Sequence, residues 1–344
     1  MLINASDLSK LDQDHLAAAL PYCLTETHLP WGKKYVGKVR DTYDLGDELL
    51  IIVTDRLSAF DRMLAVIPYK GQVLNLISKW WFEQTASLIP NHVIATPDPN
   101  VALVHKCKVF PIEFVVRGYI TGTTSTSLWT QYEKGVRDYC GVQFKEGLQK
   151  NEKLAQAVLT PTTKSAEHDR PITPTEIIAE GWMTAADWEE ASQAALALFE
   201  AGTKIAAQRN LILVDTKYEF GRDKNGQLRV VDEVHTPDSS RYWLAQSYEQ
   251  RIAAKLEPEN IDKEFLRLWF AKHCDPYQDK ELPEAPVELV LCLAARYILL
   301  YEMITGEVFS YPDKLLDVSE RINKRLTELA GTKANFISRI TSAR

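Results

Sequence analysis

Three charged residues occupy alternate positions near the middle of the chain, between apolar, hydroxyl and aromatic residues. They are Asp215, Lys217 and Glu219. Successive side chains of an extended strand point to opposite faces, so the three would share one face of a strand. Carboxylate and ammonium groups arranged in this way suit the positioning of a metal ion, a polyphosphate and anionic substrates rather than covalent attack by a side chain.

A turn signal, Asn225-Gly226, follows this strand and precedes a second alternating run. Asn-Gly is typical of a two-residue hairpin loop, because both residues tolerate positive φ. With that loop Glu219 lies opposite Asp232, and two carboxylates about 5 Å apart would repel unless a divalent cation lay between them. The pattern predicts a magnesium site. The alternative is a surface hairpin with solvated charges, in which a longer four-residue loop changes the register.

Basic residues also follow a glycine at Gly37-Lys38-Val39-Arg40, on a strand that turns back as a second strand. Glycine permits close approach of a ligand to the backbone, and the two basic side chains add positive charge. A hairpin of this kind can cover the phosphates of a nucleotide without a Walker A sequence. The alternative is a strand whose basic residues point into solvent.

Arg117 interrupts an otherwise apolar strand. A buried or half-buried arginine needs a partner, which is either a carboxylate of the protein or a phosphate of a ligand. The nearby Gly122-Thr123-Thr124 could supply N–H and hydroxyl donors to the same anion. An ion pair with Glu113 is the rival interpretation, although residues 113 and 117 share a strand face.

Two further polar segments are candidate binding loops. Residues 54–61 follow an apolar strand, where binding loops are common, although a helix cap with a salt bridge would explain the same residues. Residues 238–241 are predicted to begin a helix, and a helix N-terminus with an arginine is an anion site. Capping alone would explain Ser239, but it would not explain Arg241.

The composition of the 344-residue chain is that of a globular protein, and its net charge of -7 argues against a general nucleic-acid binder. Five scattered cysteines without CxxC spacing argue against a disulfide framework or a zinc site and indicate a reducing cytoplasm. No HxxxH, HxH or GxSxG pattern is present. Acidic residues near the N-terminus argue against a signal peptide, and charges within the most hydrophobic segment, 287–306, argue against a membrane span.

The elements that would position these residues change in type along the chain. Strands are predicted mainly in the first two thirds, including residues 49–53, 102–109 and 112–120. Predicted helices lie at about 7–20, 72–88, 174–181, 184–209, 240–255, 261–273, 287–305 and 315–330. The fold class is therefore α+β with a helical C-terminal part.

Six segments taken together resemble one family closely. In order and spacing they match the SAICAR synthetases (phosphoribosylaminoimidazole-succinocarboxamide synthases) of purine biosynthesis, over residues 31–243. The segments are GKVRDTYD, TDRLSAFD, VVRGYITGT, TPTTKSAEHD, VDTKYEFG and DEVHTPDSSRYW.

The resemblance implies a ligase that uses ATP and Mg²⁺ to join L-aspartate to the carboxylate of carboxyaminoimidazole ribonucleotide (CAIR), giving SAICAR, ADP and phosphate through an acyl phosphate. It also implies a two-domain fold related to the ATP-grasp enzymes, with ATP in the cleft between domains. The expected domains are 1–110, 111–260 and a helical region, 261–344, that packs on the other two. A cytoplasmic enzyme of small-molecule substrates is expected, with no nucleic-acid partner and no membrane, and a homo-oligomer is left open.

The resemblance also implies roles for individual residues. ATP binding falls to Gly37, Lys38, Val39, Arg40, Glu113, Lys164, Asp169, Asp215 and Lys217, with Glu113 near the adenine. The expected magnesium ligands are Glu219 and Asp232. The residues expected to bind CAIR and aspartate are Ser58, Asp61, Arg117, Thr123, Ser239 and Arg241. The expected catalytic residues are Lys217, Asp215 and Arg117. Family members often have serine where this chain has Thr123, which keeps the hydroxyl group but adds a methyl group.

Two other functions are compatible with parts of the pattern. A kinase of a small phosphorylated metabolite would use the same nucleotide-binding residues but would need no aspartate. A non-catalytic regulator would bind Mg-ATP without turning it over, yet the chain keeps the charged residues that turnover needs.

Overall fold

The computed structural model of the protein describes residues 13–60, 62–124, 126–164, 170–261, 263–312 and 317–332. Helices and sheets are mixed along the chain, which confirms the predicted α+β class. The chain divides into two compact units. Unit 1 comprises the segment up to Phe82, His92–Lys106 and the segment from Ile261, and unit 2 comprises Glu83–Asn91 and Cys107–Asn260. The division into domains 1–110, 111–260 and 261–344 stays a prediction.

Unit 1 is built on a five-stranded antiparallel sheet and a separate two-stranded ladder. The elements of this part are α1 (Gln13–Ala19), β1 (Lys33–Val36), β2 (Arg40–Asp44), β3 (Glu48–Val53), β4 (Arg56–Ala59), β5 (Arg62–Val66), α2 (Lys70–Gln84), β6 (Val93–Asp98) and β7 (Val101–His105). The sheet has the spatial order β1-β2-β3-β7-β6, and β4 and β5 form the ladder. Alternation along β3 places Leu50 and Ile52 in a core that also contains Tyr43, Val101 and Leu103.

Two sequence predictions in unit 1 need correction. Gly37, Lys38 and Val39 form the turn between β1 and β2, so this part of the basic motif lies in a turn rather than along a strand. The turn is closed by the N–H of Gly37, which donates to the carbonyl of Arg40 at 2.8 Å. The segment that begins at residue 54 contains strand β4 and not the predicted loop or helix cap, because its residues pair antiparallel with β5 and Leu57 is fully buried.

Unit 2 is built on a seven-stranded sheet. The elements of this part are β8 (Lys108–Val109), β9 (Ile112–Tyr119), α3 (Leu128–Glu133), β10 (Asp138–Tyr139), β11 (Val142–Gln143), β12 (Lys153–Leu159), β13 (Thr162–Thr163), α4 (Pro174–Ala179), α5 (Ala185–Gln208), β14 (Leu211–Arg222), β15 (Leu228–Val231), β16 (Ser240–Leu244) and α6 (Ala245–Ala253). The strands of the sheet follow the order β12-β9-β14-β15, with β13 also paired to β9 and with β8 and β16 also paired to β14. The long helix α5 packs against β14, β9 and β12.

The β14–β15 hairpin does not have the predicted two-residue loop. Glu219 pairs with Val231 and not with Asp232, and residues 223–227 form the loop. The side chain of Asp223 stabilises this longer loop, because its Oδ1 accepts two backbone N–H hydrogen bonds within the loop, at 2.9 and 3.0 Å. The loop has five residues, so it is neither the predicted two-residue loop nor the four-residue alternative, and in its register Glu219 and Asp232 are not directly opposed.

The predicted helix start at 238–241 is also wrong. Ser240–Leu244 forms strand β16, which pairs with β14, and helix α6 begins only at Ala245. The hydroxyl of Ser240 hydrogen-bonds that of Thr216 in β14 at 2.7 Å, and Tyr242 is fully buried, so both residues hold the segment in the sheet. An anion site at a helix N-terminus is therefore not present at these residues.

The C-terminal helices belong to unit 1 and confirm the predicted helical character of this part. They are α7 (Glu264–His273), α8 (Val287–Thr305) and α9 (Val318–Thr332). Arg321 of α9 donates to both carboxylate oxygens of the buried Asp98 at 2.9 and 3.0 Å, which attaches the helix to the end of β6. Over the described residues, no helix has the length and apolar character needed to cross a membrane.

Candidate active site

Asp215 lies between two arginines in the sheet of unit 2. On one side it pairs with Arg117 of β9, and on the other side with Arg241 of β16. Its Oδ2 atom is 3.4 Å from Nη1 of Arg117 and 3.2 Å from Nη2 of Arg241. Two guanidinium groups therefore share one carboxylate, and the group as a whole carries one excess positive charge.

Arg117 is buried and has an internal carboxylate as its partner. Burial lowers the pKa of its guanidinium, Asp215 opposes this shift, and the like charge of Arg241 adds to it. Its Nε donates to the hydroxyl of Thr160 at 2.8 Å. The rival ion pair with Glu113 does not form, because Glu113 faces Lys217 instead.

The hydroxyl-rich loop after β9 runs beside Arg241. Gly122 has a φ of +114°, and a methyl group there would lie 2.4 Å from Cβ of Ser127 and 3.5 Å from Nη1 of Arg241. Only glycine allows this close approach. The next residue, Thr123, is exposed, and the half-buried Ser239 accepts a hydrogen bond at its carbonyl from the N–H of Lys217 at 3.0 Å.

Lys217 and Glu219, two and four residues after Asp215 in β14, belong to a second charged group. Nζ of Lys217 is 2.6 Å from Oε1 of Glu113 and 3.7 Å from Oε1 of Glu219, and Nζ of Lys164 is 2.6 Å from Oε2 of Glu219. Burial alone would lower the pKa of Lys217, but Glu113 and Glu219, with a smaller contribution from Asp232, raise it above its ordinary value. Lys217 is therefore a protonated cation and not a general base.

Asp232 follows the last paired residue of β15 and is half-buried, with a φ of +66°. Its effect on the pKa of Lys217 indicates that its carboxylate lies near this group, although not directly across the ladder from Glu219. Among the residues that the structure describes, no three His, Cys, Asp or Glu side chains gather as a metal site.

One extended segment supports both charged groups. Residues two apart along it make the contacts. The hydroxyl of Thr160 accepts from Nε of Arg117 at 2.8 Å, and the hydroxyl of Thr162 donates to Glu113 at 3.2 Å. Nζ of Lys164 donates to Glu219 at 2.6 Å. Sequence reasoning missed the two threonines. The signal was their alternation with Lys164 in TPTTK, since residues two apart in an extended chain share a face.

The segment after Asp232 is anchored by a buried histidine. The imidazole of His235 hydrogen-bonds the hydroxyl of Tyr218, and its carbonyl accepts from the hydroxyl of Tyr242 at 2.7 Å. A Cβ atom at Gly202 of α5 would lie only 2.2 Å from Cε1 of this ring. Burial lowers the pKa of His235 to about 3, so the ring is neutral and has a structural role.

The remaining predicted site residues lie in unit 1 or outside the described residues. In the β1–β2 turn Gly37 and Lys38 are exposed, and Val39 and Arg40 are half-buried. Ser58 is half-buried in β4, and its carbonyl accepts from Nζ of Lys263 at 3.4 Å. Asp61 and Asp169 lie outside the residues that the structure describes.

Comparison with known proteins gives consistent matches. The family model described as SAICAR synthetase matches residues 33–283. Among relatives, a phosphoribosylaminoimidazole-succinocarboxamide synthase of Legionella pneumophila (strain Paris) is 67% identical over 303 residues, covering 88% of this chain and 97% of the relative. The chloroplastic enzyme of that name from Arabidopsis thaliana is 57% identical over 315 residues, covering 90% of this chain and 77% of the relative.

Solved structures agree with these relatives. A SAICAR synthase from Saccharomyces cerevisiae complexed with SAICAR has a TM-score of 0.70 and 30% identity, covering 84% of this chain and 100% of that one. A type-2 SAICAR synthetase in complex with ADP has a TM-score of 0.62 and 25% identity, covering 81% of this chain and 100% of that one.

Proposed function

Because the chain belongs to the SAICAR synthetase family, we infer that it joins L-aspartate to the carboxylate of CAIR with ATP, giving SAICAR, ADP and phosphate in purine biosynthesis. It is an ADP-forming C–N ligase, like the phosphoribosylaminoimidazole-succinocarboxamide synthases to which it is similar. The observation that carries the residue assignments is the single face of β14, on which Asp215, Lys217 and Glu219 each meet oppositely charged partners from neighbouring segments.

The reaction needs an activated carboxylate, because a free carboxylate would have to expel an oxide ion. Transfer of the γ-phosphoryl group from ATP to the CAIR carboxylate gives an acyl phosphate and ADP. The aspartate amine then attacks the acyl carbon, phosphate leaves with the electron pair of the C–O bond, and the amine gives up a proton. Little covalent chemistry falls to the protein, so positioning and charge stabilisation dominate.

We assign the Asp215 group to the anionic substrates and to catalysis. The excess positive charge of Arg117 and Arg241 favours a phosphate or carboxylate, and Asp215 keeps the two guanidinium groups at fixed positions. Thr123 and Ser239 supply hydroxyl groups nearby in this proposal. The wider assignment of CAIR and aspartate to Ser58 and Asp61 rests on the family resemblance.

We assign the group around Lys217 to ATP and Mg²⁺. A protonated Lys217 stabilises negative charge on the transferring phosphoryl group, and Glu113, Lys164 and Asp215 contact the nucleotide as well. The remaining ATP contacts, from Gly37, Lys38, Val39, Arg40 and Asp169, rest on the family resemblance, as does the prediction that ATP lies in a cleft between domains.

Magnesium fits the residues Glu219 and Asp232. Glu219 is a buried carboxylate whose two oxygens face the ammonium groups of Lys164 and Lys217, so it lies where a cation is favoured. Carboxylate oxygens are the hard ligands that Mg²⁺ prefers, and one or two of them with phosphate oxygens suffice. When bound, the ion neutralises charge on the ATP phosphates.

The remaining predictions concern partners and location. SAICAR and ADP, which occur in complexes of the similar synthases, support small-molecule substrates for this chain. A cytoplasmic location, a homo-oligomer and the absence of a nucleic-acid partner stay predictions.

One assay tests the proposed function directly. Purified protein should release ADP only when CAIR, L-aspartate and Mg-ATP are all present, and SAICAR should form in equal amount. ADP release that is undiminished without aspartate would overturn the ligase assignment and favour a kinase. Binding of Mg-ATP without any turnover would favour a regulator.

A further inference from the structure

Arg56, at the start of β4, is a buried arginine whose side chain is turned toward the β1–β2 turn of unit 1. All three guanidinium nitrogens donate to protein acceptors, among them three carbonyls of the segment from Gly37 to Arg40, which comprises the turn and the first residue of β2 and is called the Gly37–Arg40 turn below. Nη2 donates to the carbonyls of Gly37 and Arg40 at 2.8 and 3.1 Å. Nε donates to the carbonyl of Lys38 at 3.1 Å, and Nη1 donates to the carbonyl of Thr25.

The charge of Arg56 is balanced beneath the turn. Nη2 lies 3.0 Å from Oδ1 of Asp41, which is fully buried. The other oxygen of Asp41 accepts from the N–H and the hydroxyl of Thr27, both at 2.8 Å. Burial would raise the pKa of Asp41, but these hydrogen bonds and Arg56 lower it, so the carboxylate stays ionised. The ion pair leaves Arg56 fixed rather than available to a ligand.

The fourth carbonyl of the turn is held in the same manner. The hydroxyl and the N–H of Thr54 donate to the carbonyl of Val39 at 2.8 and 3.0 Å. Thus every carbonyl from Gly37 to Arg40 accepts a hydrogen bond from Arg56 or Thr54. In a trans peptide the N–H points opposite to the carbonyl. The N–H groups of Lys38, Val39 and Arg40 therefore point away from these partners.

We propose that Arg56, together with Thr54, is a positioning residue for the nucleotide: it holds the carbonyls of the Gly37–Arg40 turn away from the phosphates. Carbonyl oxygens turned toward a phosphate would repel it, whereas N–H groups and the Lys38 ammonium attract it. The inference rests on the proposed assignment of ATP phosphates to this turn. It gives the TDR part of the second motif a role that is separate from CAIR binding.

A test of the proposal requires a variant of Arg56 that keeps the positive charge but loses the planar arrangement of donors. Lysine keeps the charge but cannot reach several carbonyls with one planar fork, so Arg56→Lys separates geometry from charge. We expect the KM for ATP to rise about tenfold to a hundredfold, as for the loss of hydrogen bonds from a charged group. The KM values for CAIR and aspartate should change by less than about twofold, within ordinary mutational scatter.

Two variants of Thr54 provide a matched pair. Thr54→Val removes the hydroxyl donor to Val39 at nearly constant shape, and it should raise the KM for ATP, whereas Thr54→Ser keeps the donor and should not. If Arg56→Lys does not fold, this pair decides the question. If Arg56→Lys folds and its KM for ATP is unchanged, the proposal is overturned. If Arg56→Lys does not fold, an unchanged KM for ATP in Thr54→Val overturns it. An equal rise in the KM values for ATP, CAIR and aspartate also overturns it.

Lys38→Ala in the same assay separates this proposal from the ATP assignment itself. If Lys38→Ala raises the KM for ATP and Arg56→Lys does not, only the positioning role fails. If neither variant changes the KM for ATP, both the positioning role and the ATP assignment of the turn fail.

Discussion

The two charged groups on β14 lie on one face of one strand, yet they differ in the sign of their excess charge. At Asp215 two arginines meet a single carboxylate, so the group favours an anion. At Lys217 and Glu219, two lysines meet two glutamates, with a third carboxylate nearby, so the group favours a cation.

The difference comes from the neighbouring strands rather than from β14 itself. β9 supplies Arg117 to one group and Glu113 to the other, four residues apart on the same face. Only β16 adds a second arginine, and it does so beside Asp215. In the proposed assignment, a single strand therefore separates a region for anionic substrate from a region for metal and phosphate by about two residues. The following variants test that separation.

The largest effect is expected from Glu219→Gln. The substitution keeps the shape but removes the charge that would hold Mg²⁺, so we expect kcat to fall on the order of a thousandfold. Turnover measured across a magnesium titration checks this, with the exposed Glu200→Gln of α5 as a matched control. Normal kinetics at every magnesium concentration would remove the metal role from Glu219.

A smaller effect is expected from Arg117→Ala. Loss of this guanidinium leaves Asp215 with one arginine and should lower kcat/KM for CAIR. The loss of transition-state stabilisation should be about 2–4 kcal/mol, as for the truncation of one partner in a buried charge pair. The magnesium dependence should be unchanged, and the variant Arg209→Ala, at an exposed arginine, should behave as wild type. An unchanged kcat/KM for CAIR would exclude the contact, and an altered magnesium dependence would show that the two groups are not separate.

The smallest effect is expected from Thr160→Val. The change removes the acceptor for Nε of Arg117 at nearly constant shape, so kcat/KM for CAIR should fall. The corresponding loss of transition-state stabilisation should be about 1–2 kcal/mol. Thr160→Ser keeps the hydroxyl and should retain wild-type values. If valine and serine behaved alike, the hydroxyl would have no part in orienting Arg117.

Local periodicity correctly predicted that Asp215, Lys217 and Glu219 share one face of β14, because side chains two residues apart in a strand point to the same side. The helical C-terminal part followed from periodicity in the same way. The hairpin register did not follow, since it depends on the side chain of Asp223 as well as on Asn-Gly. The strand at 240–244 was mistaken for a helix, because pairing with β14 outweighs the local signal of a proline followed by serines.

The partners of the site residues could not be predicted from the sequence alone. Thr160 and Arg117 are 43 positions apart, and Arg56 reaches back 19 positions to Gly37. No periodicity links residues at such distances, so only the folded sheet brings them together. Sequence reasoning identified the charged groups by type. It identified neither the threonines that contact Arg117 and Glu113 nor the hydrogen bonds from the buried Arg56 to the turn at Gly37.

The contact between Gly202 and His235 constrains how the sequence can vary. There is no room for even a methyl group between helix α5 and the imidazole ring, whose backbone continues to Asp232 on one side and to Arg241 on the other. Positions 202 and 235 thus act as one coupled unit: a larger residue in the helix is compatible only with a smaller side chain at 235. Redesign of α5, although none of its residues is assigned to a substrate, would be limited by the packing of this one ring.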